Sequence, residues 1–307
     1  MRPLGRATIT AGAVLLWLVL PGLAGADTRP STSQAAAQEG YIGPEACATC
    51  HEGYDSSINR TKHAFAKDPR TPFAQRGCES CHGPGQAHAD NPEKVKPKNF
   101  TKMAAKEVSE TCTGCHNRTQ HVMWDGSAHD ARNVTCTNCH NIHTPKTEQG
   151  LLRETSQVET CGNCHRDKVN KFDRSGHMPV REGKMVCSSC HNPHGSKNVR
   201  LLKAGFTVNE ACTSCHTEKR GPFLWEHGPV RENCTTCHDP HGSSNERLLV
   251  AKNPFLCQRC HVHSRHPATI YDQRVLNTSN RVFGRACVTC HSQIHGSNHP
   301  SGNFLVR

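Results

Sequence analysis

Apolar positions gather in one place along the chain. Ala7–Leu20 is a run of about 14 mostly apolar residues, preceded by Arg2 and Arg6 and closed by Pro21 and Gly22. Ala24, Gly25 and Ala26 then offer a small-residue cleavage site before Asp27. A basic start, a short apolar stretch and small residues in that order predict a secretory signal peptide over 1–26. The run falls short of the ~20 residues that span a bilayer as a helix. No cysteine lies in or just after it to carry a lipid. Beyond it, no stretch is long and apolar enough for a membrane helix, and no barrel-strand alternation is present. Residues 27–42 read as a flexible N-terminal segment.

From residue 43 onward apolar positions are scattered singly among glycine, proline and polar residues, so long helices and strands are expected to be few. Two short helix starts stand out, Ser156-x-x-Glu159 and Thr207-x-x-Glu210, each fitting a capping box and each short enough to arise by chance. The middle of the chain repeats itself. His129 leads into "CTNCHNIHTPKTEQGLL", His177 into "CSSCHNPHGSKNVRLL" and His227 into "CTTCHDPHGSSNERLL". The starts lie about 50 residues apart, the spacing of a repeat architecture. The units are placed near 129–176, 177–226 and 227–266.

Composition sharpens this picture. Hydrophobic residues are 34% of the chain, a figure that includes 20 cysteines. Without those, about 27% remains, well under the usual 45–50% apolar share. Such a chain does not fold around an ordinary core unless something else supplies apolar surface and cross-links. The formal charge of +11 invites a nucleic-acid partner. No nucleic-acid motif accompanies it, only 5% of residues are aromatic, and export removes the target, so no nucleic acid is expected.

All 20 cysteines fall into ten copies of C-x-x-C-H. In chain order, and numbered here as sites 1–10, they are Cys47/Cys50/His51, Cys78/Cys81/His82, Cys112/Cys115/His116, Cys136/Cys139/His140 and Cys161/Cys164/His165, then Cys187/Cys190/His191, Cys212/Cys215/His216, Cys234/Cys237/His238, Cys257/Cys260/His261 and Cys287/Cys290/His291. An exported disulfide framework does not require a histidine after every pair. Neither do zinc sites built from C-x-x-C pairs, and thioredoxin-like sites come singly on a βαβ pattern. C-x-x-C-H is the c-type haem attachment signature. Residues i and i+3 share a helix face, so both thiols reach one edge of the macrocycle and the next histidine swings under it. Ten covalent haem c groups would replace the missing core. Each ferric haem with its propionates carries about −1, so the surplus Lys and Arg largely balance cofactor charge.

Ten of the 23 histidines sit in the motifs, leaving His63, His88, His121, His129, His143, His177, His194, His227, His241, His263, His266, His295 and His299. Methionines number only five, so bis-histidine ligation is the arrangement the counts allow throughout. His241 lies three residues after His238, an extended reach of about 10–11 Å, whereas ligands on opposite faces of one haem need about 12 Å between α-carbons. It must serve a neighbouring haem. The same holds for His143 and His194; His295, four residues after His291, is read in the same way by its similar place, not by reach.

"KRGPFLWEHGPVRENCTTCHDPHGS", "NPFLCQRCH" and "CHSQIHGSNHPSG" resemble the DmsE/MtrA-type periplasmic decahaem cytochromes, from about Gly43 to the C-terminus. The resemblance implies a decahaem cytochrome c domain over 43–307. Its fold would be mostly irregular loops with short α-helices and almost no β, an elongated haem wire organised by covalent haems. It further implies an electron-transfer protein, not an enzyme, associated with the outer membrane from the periplasmic side. The wire would sit in an outer-membrane β-barrel porin, between periplasmic or inner-membrane cytochromes and an outer-surface cytochrome or reductase. Metal reduction, sulfoxide respiration and iron(II) oxidation would all use it. Carried over by position, the distal ligands are His63, His88, His129, His143, His177, His194, His227, His241, His266 and His295. His121 and His263 have no counterpart, and His299 has no iron left to serve. His263 competes with His266 for that role; it lies two residues from His261, too close to bind the same iron, and the resemblance favours His266. A multihaem reductase of nitrite, hydroxylamine or sulfur oxyanions is the alternative. It needs a five-coordinate haem, often marked by C-x-x-C-K, and no such motif is present. A polymerising cytochrome filament is a third reading and needs self-complementary ends.

Overall fold

The computed structural model describes residues 40–65, 68–177, 179–261 and 286–306. The signal-peptide region, most of the 27–42 segment, His263 and His266 lie outside the described residues.

Short helices joined by turns make up the described chain, and no strand forms among these residues. The longest helices are Ala105–Thr113 and Arg166–Ser175. Extended pairing is confined to isolated bridges: His140 with Leu152, His191 with Leu202, His238 with Leu249, and Trp225 with Ser297. Both sequence-predicted caps form. Ser156 Oγ accepts from Glu159 N at 3.1 Å and opens the helix Gln157–Gly162. Thr207 Oγ1 accepts from Glu210 N at 3.1 Å and opens Val208–Thr213. Each helix ends just beyond the first cysteine of its motif, so the cap sets where the thiol emerges.

Protein atoms alone make almost no core. Ala64, Val108, Trp124 and Leu305 are the buried hydrophobic side chains among the described residues. Phe206, Leu224, Phe304 and Val122 stay exposed. Burial of apolar area is the main drive to fold, so this polypeptide by itself is underprovided. No helix among the described residues is long and apolar enough to cross a membrane.

Hydrogen bonding takes over locally. In each repeat the motif histidine opens a loop that closes on a Leu-Leu pair. Asn141, Asn192 and Asp239 donate their backbone N–H to Leu151, Leu201 and Leu248 at 2.7–2.9 Å. The chain then returns past the second cysteine: Arg153, Lys203 and Val250 donate to the carbonyls of Cys139, Cys190 and Cys237 at 2.9 Å. Gly195 and Gly242 follow the loop histidines with φ of 118° and 138°. A Cβ at either would collide with backbone, that of Met123 or of Lys171, so glycine lets an earlier segment cross the loop.

Candidate haem sites

Every C-x-x-C-H motif winds through one helical turn. In all ten, the histidine N–H donates to the carbonyl of the first cysteine four residues back, at 2.9–3.1 Å. This is the turn the sequence argument requires, with both thiols on one side. None of the twenty cysteines is in a disulfide. Consecutive motifs meet through their sulfurs. The first thiols of sites 3 and 4 (Cys112, Cys136), 5 and 6 (Cys161, Cys187), and 7 and 8 (Cys212, Cys234) share hydrogen bonds. The second thiols alternate with them, Cys81 feeling the charge of Cys115, Cys139 that of Cys164, Cys190 that of Cys215, and Cys237 that of Cys260. Neighbours in sequence are therefore neighbours in space.

The two cysteines of a motif differ in exposure. The first cysteine of every motif is half-buried. The second is exposed at seven sites: Cys50, Cys115, Cys164, Cys190, Cys215, Cys260 and Cys290. Only Cys81, Cys139 and Cys237 are half-buried at that position. The reason lies in the turn. Its first cysteine packs against the neighbouring motif, whereas the second ends the turn, where the chain leaves toward solvent.

The motif histidines face other histidines at a narrow range of separations. Ring centres lie 6.2 Å apart for His51–His88, 6.2 Å for His82–His143 and 5.9 Å for His63–His116. The values are 6.0 Å for His140–His194, 6.2 Å for His129–His165 and 6.1 Å for His191–His241. They are 6.0 Å for His177–His216, 6.1 Å for His238–His295 and 6.1 Å for His227–His261. Two metal–nitrogen bonds of about 2 Å each, plus the two half-rings, come to about 6 Å. The spacing is that of two imidazoles on one metal atom.

Tautomers agree with that use. A carbonyl only accepts, so a histidine whose Nδ1 meets one carries its proton there and keeps the Nε2 lone pair for a metal. His82, His140, His191, His238 and His291 donate in this way to Lys98, Gly150, Arg200, Arg247 and Phe304 at 2.5–2.9 Å. His88 and His129 do so to Val95 and Pro193, both at 2.8 Å. Burial favours the neutral ring at six of the facing histidines, as ligation demands. It is the largest cause of the lowered pKa at His63, His143, His227, His241 and His295. At His194 burial, reinforced by His121 and His140, brings it down to about 4. The donor set, the ring spacing and the paired thiols fit a haem c at each described pair.

The pairing has a stride that the sequence did not reveal. Each loop histidine reaches the motif two places earlier: His143 to His82, His194 to His140, His241 to His191 and His295 to His238. The sequence reading placed it at an unspecified neighbour; the structure steps over the intervening motif. Each repeat therefore serves its own second site with its leading histidine, His129 to His165, His177 to His216 and His227 to His261, and lends its loop histidine to a site upstream. An Asx turn aims these side chains, the Oδ1 of Asn141, Asn192 and Asp239 accepting from the N–H of His143, His194 and His241 at 3.0–3.2 Å.

Two of the histidines left over behave differently. His121 packs on His194 at 4.2 Å and on His116 at 5.5 Å. Tyr54 packs similarly on His143 at 5.2 Å, and Phe172 on His241 at 5.9 Å. His121 thus occupies an outer aromatic place that nothing in its sequence neighbourhood announces. His299 is turned to its own loop, its Nδ1 accepting from Ser301 N at 3.1 Å. His263, like His266, is not among the described residues.

Comparison with known proteins agrees. Residues 177–221 and 227–266 match the doubled CXXCH motif family, and residues 78–164 match the cytochrome c-type protein NrfB-like family. The chain is 40% identical over 275 residues to the multiheme cytochrome MtrA of Shewanella baltica (strain OS185), covering 86% of this chain and 81% of the relative.

Proposed function

The chain belongs to the MtrA family of multihaem c-type cytochromes, and from that footing we propose that it conducts electrons along ten bis-histidine haems through an outer-membrane β-barrel. Electron transfer by covalently held haem c is its family's activity. When bound, each haem supplies a one-electron ferric/ferrous couple. The polypeptide does the rest. Two cysteines fix each group at its edge, the motif histidine holds one face, and a histidine from another segment holds the other.

The observation that carries this reading is the ring pairing. All nine motif histidines from His51 to His261 face a second imidazole at 5.9–6.2 Å. With both faces taken, a site exchanges electrons without binding substrate, which favours a carrier over a reductase. The tenth partner, for His291, is assigned to His266 on the family resemblance alone. Interleaved ligands also force close spacing: a site cannot move without dragging the motif two places away.

The barrel itself rests on the family resemblance, and length and polarity support it. Ten sites in a file exceed the ~30 Å hydrocarbon thickness, yet this irregular, Gly/Pro-rich backbone cannot face lipid. A barrel would shield it while periplasmic cytochromes load one end and an outer-surface cytochrome or reductase empties the other. Liposomes loaded with a redox dye test this. Electron exchange with an external donor is expected only when both cytochrome and barrel are present. Equal rates with the cytochrome alone, or failure to co-purify with any barrel, would overturn it.

A further inference from the structure

The histidines divide by the parity of their site. At the even sites the motif histidine always donates Nδ1–H to a backbone carbonyl: Lys98, Gly150, Arg200, Arg247 and Phe304 for sites 2, 4, 6, 8 and 10. At the odd sites, His51, His116, His165, His216 and His261 have no such carbonyl among the described residues. Ring planes follow a related division. They cross at 64°, 65° and 70° at sites 3, 5 and 7. They lie within 35°, 17°, 11° and 15° of parallel at sites 2, 4, 6 and 8. Sites 1 and 9, at 29° and 18°, are near-parallel without the motif-histidine carbonyl.

The chain builds the even-site bond with an unusual turn. The accepting carbonyls in the repeats belong to Gly150, Arg200 and Arg247, whose φ values are 79°, 57° and 55°. Leu151, Leu201 and Leu248 follow at 49°, 58° and 58°. Two successive left-handed residues turn the first carbonyl toward the imidazole. This conformation costs energy in a side-chain-bearing residue, and it is kept in all three repeats.

Both features act on the iron in the same direction. A carbonyl that holds the Nδ1 proton makes the imidazole more basic and favours ferric over ferrous iron. Parallel ligand planes split the two iron dπ orbitals that imidazole addresses, and the ferric hole settles in the higher one. Crossed planes leave the two nearly degenerate and give up that ferric stabilisation. We infer that reduction potential alternates along the file, low at sites 2, 4, 6 and 8 and high at sites 3, 5 and 7. Site 3 is the high extreme, with crossed planes and no backbone carbonyl at either imidazole among the described residues; at site 7 a Glu218 carboxylate oxygen lies 3.7 Å from His216 Nδ1, which sets it below site 3. The facing rings of sites 2 and 4, His143 and His194, also have buried Nδ1 atoms without a partner, so the motif-histidine carbonyl and the ring planes carry the division. At site 5, His129 donates to Pro193, which places it between. An electron then climbs and descends at successive steps instead of running down one slope, and the conduit works in both directions.

This inference rests on bis-histidine ligation, and one titration separates the two. In the oxidised holoprotein, crossed planes give a strongly anisotropic low-spin electron paramagnetic resonance and parallel planes an ordinary rhombic one. About three of ten spins should be of the first kind. During stepwise reduction with dithionite and mediators, one electron per site, the anisotropic signal should vanish at higher potential than most of the rhombic signal. Loss of both over one range, rhombic loss first, or no anisotropic signal overturns the alternation while leaving ligation intact. A high-spin signal of one spin or more overturns the ligation and the alternation with it. Arg247→Pro, whose ring forbids positive φ, should release His238 and move one rhombic spin to higher potential. Arg247→Gly, which keeps the turn, should leave it in place. Equal titrations of a folded Arg247→Pro and the parent chain refute the role given to the carbonyl.

Discussion

Around site 2, residues 40–98 are gathered by a buried carboxylate, whereas in the repeats the same task falls to backbone. Glu79 accepts from Ile42 N at 3.1 Å, Gly43 N at 2.9 Å and Gly85 N at 2.7 Å, and is only 4% exposed. It thereby ties the segment before site 1 to the turn of site 2. The repeats have no such anchor; they use the Asx turn, the Leu-Leu closure and a glycine crossing, three times over. Yet His82–His143 and His191–His241 end with ring centres 6.2 and 6.1 Å apart. What the two regions share is the distance between imidazoles. The path of the chain is free to differ as long as that distance is met.

The largest effect should come from withholding haem, which abolishes the comparison by removing both regions at once. A chain made without haem attachment is expected to show no cooperative melt by circular dichroism, because its own buried hydrophobic side chains are so few. A cooperative transition in that chain contradicts the account. Next in size is loss of one facing histidine. His241→Ala should turn a single site high-spin, and the affected site should be that of His191, not of His238. His263→Ala should stay low-spin. A silent His266→Ala combined with a high-spin His263→Ala reverses that assignment.

These substitutions also mark what was legible in the sequence. The cysteines, their adjoining histidines and the poverty of core are properties of composition and spacing, so sequence reports them directly. The short caps at Ser156 and Thr207 were visible for the same reason. The exposure of Cys50, Cys260 and Cys290 was not. Spacing fixes the face that two thiols share, but not how much chain packs over it. Reach arithmetic excluded His238's own site for His241, but it could not choose among the others, because the two-motif stride depends on how successive turns stack. His121 was opaque for a different reason. Its place is equivalent to those of Tyr54 and Phe172, and three unlike residue types share no sequence signal. The clasp carbonyls of Gly150, Arg200 and Arg247 belong to backbone, where side-chain identity says little.

A smaller effect, confined to one region, sharpens the contrast. Glu79→Ala would leave buried N–H groups of Ile42, Gly43 and Gly85 without partners, at about 1–3 kcal/mol for each that water does not reach. Limited proteolysis should then cut near residues 40–46 sooner, with the repeats cut no faster than before. Equal acceleration throughout would show that the carboxylate does not act locally. The smallest effect is expected at the Lys171–Asp239 ion pair, 2.5 Å long with the lysine side chain 40% exposed. Partly exposed pairs contribute roughly 0–1 kcal/mol, so Lys171→Ala should lower the melting temperature little and leave the His191 site low-spin. A high-spin fraction in that variant would mean the pair positions His241 through Asp239.

The central claim is that every iron sits between two imidazoles. Near-infrared magnetic circular dichroism of the oxidised holoprotein reads axial ligation directly, and haem content by intact mass sets the scale. The account predicts ten covalent haems and charge-transfer intensity of the bis-imidazole type alone, equal to ten sites. Intensity of the histidine–methionine or high-spin type, amounting to one site or more, would contradict it.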